Sequence, residues 1–268
     1  MSGSAPTGLV VWWDEPADGP TNMAADELLA AEADARGTPL LRIYGWSQTT
    51  VSLGAFQRFD EASGIAAIRG VPVVRRPSGG GAIVHGSDLT YAAAVPKGHP
   101  WGAAPQAFYD ALHSAMALAL AVRGIDARPY GAAGGPAAPG GEAAFLCFDR
   151  RSAGDLVVDG GGPSAAAGCK IMGSAQRRLA GVVLQHGSLL LRANPDVREA
   201  ARHRGVADVS GAPSSWDRDD LARGWIEQIA ASLGVAVQEE PTSWIRGRAD
   251  PIAAAAERFR DDRWTRRR

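Results

Sequence analysis

The chain has 268 residues, of which 46% are hydrophobic, so it is long enough to bury a sizeable core in one large domain or two small ones. A formal net charge of −1 argues against a nucleic-acid-binding domain, and the longest apolar run, residues 115–122, is too short to span a bilayer. Two cysteines and five scattered histidines exclude a disulfide framework and show no zinc-ligand spacing. With no secretion signal in residues 1–7, we expect a cytoplasmic protein that binds neither membrane nor metal.

The first third of the chain predicts strands around one helix. Residues 9–13, 40–44 and 49–53 are rich in β-branched and aromatic side chains, which favour strands. Thr21 and Asn22 can cap a helix over residues 23–36, and Gly37 is typical of its end.

Strands and a second helix are predicted further along the chain. Residues 71–74 and 89–95 are strand-like, and residues 106–123 have the apolar periodicity of an amphipathic helix ending at Gly124. His113 and Ser114 are interpreted as residues on the face of that helix.

The last part of the predicted sheet is a meander interrupted by loops. Segments 131–144 and 160–168 are rich in Gly, Ala and Pro, which predicts flexible loops. The first could be a lid, a docking edge or a neutral insertion, and the second is interpreted as an insertion. Strand-like residues around Cys147, at 155–158, at 169–178 and at 182–191 would place Cys147 and Lys170 on neighbouring strands. The chain as a whole therefore predicts an α+β fold.

The most distinctive segment runs from Arg75 to His85 and reads Arg-Arg-Pro-Ser-Gly-Gly-Gly-Ala-Ile-Val-His. Glycine lets a backbone press against a ligand, and consecutive free N–H groups can form an anion- or carbonyl-binding concavity. Two arginines add charged donors. The run matches neither the phosphate-binding loop of nucleotide hydrolases nor the dinucleotide fingerprint. It predicts a ligand-binding loop, with a tight basic-rimmed hairpin as the alternative.

Cys147 and Lys170 form the second candidate feature. A lysine within apolar strand sequence is costly to bury unless it has a partner, and a thiolate or a ligand carbonyl would serve. A lysine near a cysteine also favours the nucleophilic thiolate. Taken alone, however, Cys147 is better interpreted as a small buried residue between aromatic neighbours. Alternation along a strand would point Cys169 away from the face that carries Lys170.

Three blocks in order resemble the biotin/lipoate protein ligase superfamily. They are the Arg75 to His85 run, Lys-Ile-Met-Gly-Ser-Ala-Gln-Arg-Arg at 170–178 and Leu-Gln-His-Gly-Ser at 184–188. Segments 22–27, 41–46 and 52–57 are similar to its first helix and early strands. The Cys-Phe-Asp step at 147–149 and Asp-Leu-Thr-Tyr at 88–91 resemble the octanoyltransferase branch that uses a cysteine nucleophile.

The resemblance implies a class II synthetase-like α+β domain over residues 1–268, with a mainly antiparallel sheet flanked by helices and no C-terminal accessory domain. It implies that octanoyl-acyl carrier protein gives its acyl group to Cys147. A lysine of an apo lipoyl domain or of the glycine-cleavage H protein would then attack the thioester. Because a thioester is already activated, no ATP, metal or other cofactor would be required. Lys170 would stabilise the thiolate and donate to the acyl carbonyl.

The implied substrate-binding residues lie in the three blocks. They are Arg76, Ser78, Gly79, Gly80, Gly81, Ala82, His85, Gly173, Ser174, Ala175, Gly187, Ser188 and Leu189. His85 would orient the loop of residues 76–82, which we call the glycine run. His186 fits a role in the site and a structural role equally well.

The sequence leaves two other functions open. One is an ATP-dependent lipoate-protein ligase, in which ATP and Mg²⁺ would be needed and Cys147 would be incidental. The other is a non-catalytic member that binds acylated protein. A requirement for ATP would indicate the ligase, and a requirement for acyl carrier protein would indicate the transferase. A thioester on Cys147 would distinguish the transferase from a non-catalytic binding protein.

Overall fold

A computed structural model describes residues 8–131, 145–159, 168–208 and 217–268. These residues form strands β1 (Gly8–Trp13), β2 (Leu40–Tyr44), β3 (Thr50–Leu53), β4 (Val73–Arg75), β5 (Ile83–His85), β6 (Asp88–Pro96), β7 (Ala127–Pro129), β8 (Leu156–Val158), β9 (Cys169–Arg178), β10 (Val182–Leu190) and β11 (Ala236–Glu239). Their α-helices are α1 (Gly19–Arg36), α2 (Phe59–Gly64), α3 (Pro100–Ala103), α4 (Pro105–Ala121), α5 (Arg218–Leu233), α6 (Trp244–Gly247), α7 (Ala249–Arg260) and α8 (Asp262–Thr265).

The strands form a large sheet and a small one. The large sheet has the order β11-β1-β2-β6-β10-β9-β8-β7, in which β1 is parallel to both neighbours and the other pairs are antiparallel. The small sheet has the order β4-β3-β5. The α+β fold with a mainly antiparallel sheet is thereby confirmed, and so is the predicted meander of β8, β9 and β10.

Helices cover both faces of the large sheet because its strands alternate their buried side chains. On β6, Tyr91 and Val95 pack in the core that includes α4 and α5, whereas Ala92 and Ala94 face α1 and α7. Trp225 of α5 is fully buried in the first core, and its indole N–H donates to the Leu112 carbonyl at 2.8 Å. Burying an aromatic side chain of this size stabilises the fold by roughly 2–3 kcal/mol.

Helix α1 begins earlier than the sequence predicts. Asp18 is the N-cap, and its carboxylate accepts from the backbone N–H of Thr21 at 2.8 Å, so the helix starts at Gly19. Asn22 is buried instead, and its amide donates to the Gly45 carbonyl at 3.0 Å. The predicted end is confirmed, since Gly37 adopts a left-handed conformation with φ of 64°.

The strand predicted around Cys147 is absent. Cys147–Asp149 is a single turn of 3-10 helix, and Leu146 makes only an isolated bridge with Ala82. The Cys147 N–H donates to the Ala82 carbonyl at 2.7 Å, so this turn is attached to the glycine run rather than to the large sheet. The prediction was wrong, and the sequence could not show the true arrangement, because a single β-bridge, unlike a ladder of paired strands, imposes no alternating pattern of buried residues.

The glycine run is not a hairpin. It connects β4 to β5, and these strands pair with opposite edges of β3. Residues 76–82 therefore cross the end of the small sheet as an open loop, and β5 itself was not predicted. Most of the two predicted flexible loops, residues 132–144 and 160–167, lies outside the described residues. In the part that is described, no helix is long and apolar enough to cross a membrane.

Candidate active site

A cavity opens between the two sheets, where the glycine run faces β9 and β10. The residues that line it come from α1, from the glycine run and β5, from the Cys147 turn, and from the middle strands of the large sheet. They are Met23, Tyr44, Trp46, Arg76, Gly80, Ile83, His85, Thr90, Cys147, Gly173, Ser174, Ala175, His186 and Gly187. One wall is apolar and aromatic, and the half-buried Cys147 contributes a nucleophilic atom. This arrangement suits an apolar chain that ends in a reactive carbonyl.

Cys147 and Lys170 meet at the edge of this cavity. The Lys170 ammonium lies 3.5 Å from the Cys147 sulfur and 3.3 Å from the Cys147 carbonyl oxygen. It also pairs with the Asp155 carboxylate at 2.8 Å, and both of these side chains are almost completely buried. Burial alone would lower the pKa of Lys170, but the Cys147 thiolate and Asp155 outweigh it and hold this pKa above its ordinary value. The lysine is therefore charged when it contacts the sulfur.

Asp155 is a site residue that the sequence reasoning missed. Its carboxylate accepts from the Tyr109 hydroxyl at 3.1 Å and from the Ser152 N–H at 2.6 Å as well as from Lys170. The sequence did offer a signal for this residue, namely an acidic side chain directly before the apolar strand β8. A carboxylate buried there needs a cation as its partner.

Asp155→Asn is expected to slow acyl transfer by on the order of 10²-fold, since Lys170 loses the partner that holds its position and charge. Without that carboxylate the pKa of Lys170 falls, so the mutant-to-wild-type rate ratio should decline from about pH 6 to about pH 9. Initial rates across pH test this. Asp159→Asn, an exposed carboxylate bonded to Arg128, is the matched control. A ratio that does not change with pH would contradict the role.

Arg76 brings a second cation toward Cys147. Its guanidinium donates to the Ser52 carbonyl at 2.7 Å and to the Gly81 carbonyl at 2.8 Å, and it has no carboxylate partner among the described residues. Its Nε–H is buried without a hydrogen-bond acceptor. Burial lowers the pKa of Arg76 to about 10, while the charge of the Cys147 thiolate acts in the opposite direction. Arg76 therefore supplies a buried positive charge at the wall of the cavity.

His85 acts on Arg76 through Ser52. An Arg76 N–H donates to the Ser52 hydroxyl at 2.6 Å, and that hydroxyl lies 2.7 Å from His85 Nε2. His85 Nδ1 lies 2.7 Å from the Asp88 carboxylate, and the ring stacks on Trp46. Burial lowers the pKa of His85 more than Asp88 raises it, so the ring is neutral and can accept from Ser52. The structure thus places His85 where it orients the start of the glycine run.

Gly81 allows the Cys147 turn to approach the glycine run. A Cβ atom at position 81 would lie 2.9 Å from both the Cys147 Cα and its N atom, which is closer than real Cβ contacts. The position is therefore closed to any side chain unless the nucleophile moves.

Gly81→Ala is expected to lower the acylation rate by about 10²-fold, because the new methyl group displaces the Cys147 backbone. Gly98→Ala is the matched control, since a Cβ there meets nothing within 4 Å. Acylation rate and thermal unfolding would be measured for both. Wild-type acylation by Gly81→Ala would show that the close approach is unimportant.

The remaining predicted residues divide between cavity and scaffold. Gly80, Gly173, Ser174, Ala175 and Gly187 line the cavity, and Lys170 lies across Gly173. By contrast, Ala82, Gly79 and Ser78 hold the loop and do not line the cavity.

The last two predicted positions on β10 face other neighbours. The Ser188 hydroxyl donates to Asp88 at 2.6 Å. Leu189 is fully buried in the core shared with α4 and α5, so its predicted place beside the ligand was wrong. Gly187 and Leu189 share a face of β10, so the difference comes from position along the strand: Leu189 lies opposite Leu89 and Met172, beyond the residues that line the cavity.

His186 links the cavity to a buried charge cluster. Its Nε2 contacts the Ser78 hydroxyl, and its Nδ1 lies 3.2 Å from the Asp26 carboxylate. Asp26 also accepts from Arg42 at 2.8 Å and from Tyr44 at 2.9 Å. His186 therefore lines the cavity and also holds the glycine run, so its position fits both the site role and the structural role that the sequence left open.

Within the described part of the chain, no cluster of three or more His, Cys, Asp or Glu residues is arranged to hold a metal ion. The groups present are suited to acyl chemistry: a thiol, a charged lysine, and a buried arginine around an apolar cavity.

Comparison with known proteins agrees with this geometry. The lipoyl protein ligase A/B catalytic domain matches residues 18–214. Octanoyltransferase LipM of Kyrpidia tusciae is 34% identical over 79% of this chain and 84% of its own length, and that of Symbiobacterium thermophilum is 35% identical over 80% and 84%.

Solved structures share the fold. A bi-partite lipoate protein ligase from Thermoplasma acidophilum superposes with a TM-score of 0.66 at 18% identity, over 98% of this chain and 97% of its own. Lipoate-protein ligase A bound with ATP gives 0.66 at 18% identity, over 96% and 97%. Since the family's catalytic domain covers most of the chain, this protein belongs to the lipoyl protein ligase A/B family.

Proposed function

We infer that this protein is an octanoyltransferase of protein lipoylation that works through a thioester on Cys147. The observation that carries the mechanism is the 3.5 Å contact between the Cys147 sulfur and the Lys170 ammonium at the edge of a largely apolar cavity. The activity is that of the LipM relatives, which are 34–35% identical over about four fifths of the chain. A free catalytic thiol requires reducing conditions, so we place the reaction in the cytoplasm.

In the first step, the Cys147 thiolate attacks the thioester carbonyl of octanoyl-acyl carrier protein. The carbon–sulfur bond to Cys147 forms, and the bond to the carrier breaks, so that the carrier leaves as a thiolate and takes up a proton from solvent. Negative charge develops on the carbonyl oxygen during the attack. Lys170 is the donor available to stabilise that charge, and the Arg76 guanidinium adds a second positive charge beside Cys147.

In the second step, the lysine amine of an apo lipoyl domain or H protein attacks the octanoyl-Cys147 thioester. The amide bond forms, Cys147 leaves as a thiolate stabilised by Lys170, and the amine loses a proton to solvent. No ATP is consumed, because the thioester carries the activation. His186 lines the same cavity, with its ring held by Ser78 and Asp26.

Intact-mass measurement tests this proposal. Incubation with octanoyl-acyl carrier protein should add one octanoyl group that hydroxylamine removes, and addition of apo lipoyl domain should discharge it onto the acceptor. Free octanoate with ATP and Mg²⁺ is the comparison. Acceptor modification with octanoate and ATP, with no adduct from the carrier, would support a ligase instead. An absence of acceptor modification under both conditions would support a binding protein.

A further inference from the structure

The solvent-exposed edge of the cavity has an arginine beside it. Gly80 is exposed and Ala175 is partly exposed, and a methyl group at position 80 would lie 3.8 Å from the Ala175 Cβ. The glycine run and β9 therefore face each other at the mouth of the cavity. Arg177 lies two residues beyond Ala175 on the same face of β9, so it borders this mouth.

Three more arginines continue the positive surface from Arg177, and we call the four together the arginine surface: Arg177, Arg258, Arg267 and Arg268. The pKa of Arg267 is lowered by burial and then by repulsion from Arg268, Arg177 and Arg258. Arg267 therefore lies close enough to the other three arginines to feel their charge. Arg267 and Arg268 are exposed, and the Arg177 and Arg258 side chains are 39% and 48% exposed.

One carboxylate compensates this surface. Glu27 pairs with Arg177 at 3.3 Å and also with Arg258, so four cations share one anion. Three acidic residues nearby in the chain are paired with other arginines: Glu257 of α7 with Arg260, Asp261 with Arg263, and Asp262 of α8 with Arg266. The arginine surface is therefore positively charged on balance, since Glu27 is the side-chain carboxylate shared by two of its four arginines.

An exposed aromatic ring completes the patch. Phe56 is 73% exposed, and a Cβ on Gly79 would lie 3.7 Å from its ring. The Arg268 guanidinium lies 5.5 Å from the centre of this ring. An exposed phenylalanine between a ligand loop and a group of arginines is the kind of apolar anchor that protein interfaces use.

We propose that the arginine surface and Phe56 form the docking site for the acyl donor, an acidic carrier protein that bears its acyl group on a phosphopantetheine arm. This inference rests on the proposed transferase function. The arm contains a phosphodiester, and arginine is the side chain best suited to bind phosphate and carboxylate oxygens. Acidic side chains around the arm would meet the other arginines, which speeds association and sets orientation. Arg177 lies between the mouth and the rest of the surface, where the phosphodiester would pass.

The test compares two acyl donors with one double variant, Arg177→Glu with Arg267→Glu. Acylation of Cys147 is followed by quenched-flow intact mass, first with octanoyl-acyl carrier protein and then with octanoyl-pantetheine, which lacks phosphate and protein. We expect kcat/KM to fall at least about 10-fold with the carrier and to stay within about 2-fold with octanoyl-pantetheine. Salt should weaken the wild-type reaction with the carrier but not that with octanoyl-pantetheine.

Two further variants make the result specific. Arg177→Gln with Arg267→Gln removes charge without reversing it and should give an intermediate loss. Arg223→Glu, on the exposed far side of α5 beside β11, should leave both donors unaffected. Octanoyl-pantetheine itself reports whether each variant is folded.

Each other outcome overturns the docking proposal. Equal losses with both donors would mean that the substitutions damage the site, and no loss with the carrier would mean that the surface does not dock it. A loss confined to discharge onto the lipoyl domain would assign the surface to the acceptor. Failure of wild-type Cys147 to be acylated by either donor would instead refute the proposed function.

Discussion

Cys147→Ala is expected to abolish octanoyl transfer, whereas Cys169→Ala is expected to retain most of it. Removing a covalent nucleophile costs on the order of 10⁴-fold or more in rate. The Cys147 sulfur lies beside the Lys170 ammonium at the cavity, whereas the Cys169 sulfur makes a weak contact of 3.9 Å with the Lys170 carbonyl oxygen. Burial raises the pKa of the Cys169 thiol, which leaves it less reactive.

The measurement is transfer to an apo lipoyl domain together with the mass of the trapped enzyme. Cys147→Ala should show neither product nor hydroxylamine-sensitive adduct, and Cys169→Ala should show both. Transfer by Cys147→Ala at close to the wild-type rate would mean that the reaction does not pass through this thioester.

Lys170→Met should lower the acylation rate by on the order of 10²–10³-fold, because it removes a preorganised charged donor while keeping a side chain of similar shape. Alkylation of Cys147 by iodoacetamide at neutral pH should slow as well, since the thiolate loses its cation. Lys170→Arg should not restore activity. The Lys170 side chain lies directly over Gly173, where a longer and wider guanidinium has no room. Unchanged alkylation in Lys170→Met would show that lysine and thiol do not interact in solution.

Stability and catalysis can be separated at this position. Lys170→Met leaves the Asp155 carboxylate buried without a cation, which costs about 3–5 kcal/mol. The double variant Lys170→Met with Asp155→Asn removes the unpaired charge and should recover most of the lost stability. It should stay as slow as the single variant in acyl transfer. Recovery of activity along with stability would mean that Lys170 has only a structural role.

Local sequence patterns were sufficient for most elements of the large sheet. Strand-like apolar runs predicted β1, β2, β6 and β10 to within a residue or two, since each of these strands lies between helices and is largely buried on both faces. Gly37 ended α1 as expected because a left-handed residue is chemically recognisable, whereas α4 ends at Ala121, two residues before the predicted end, and the left-handed Gly124 follows it. The beginning of α1 was wrong because several polar residues before it could each serve as the cap.

Contacts between distant segments account for what the sequence did not predict. The path from Arg76 through Ser52 to His85 joins the two outer strands of the small sheet across β3, and none of these pairings leaves a periodic signal. Asp155 became identifiable only when Lys170 was placed beside it. Leu189 was assigned to the ligand from its block of residues, although its side chain packs in the core shared with α4 and α5.

The sequence by itself indicated the α+β fold class and the ligand-binding character of the Arg75 to His85 run, which follow from residue chemistry and periodicity, local properties of the chain. The assignment of Cys147 and Lys170 to thioester chemistry came from the resemblance to the octanoyltransferase branch, since Cys147 taken alone is better interpreted as a small buried residue. Only the tertiary structure decided that Cys147 sits on a 3-10 turn bound to Ala82, that Gly81 must lack a side chain, and that Asp155 holds the lysine. These are distances between segments far apart in the chain, and they are set by how the two sheets pack.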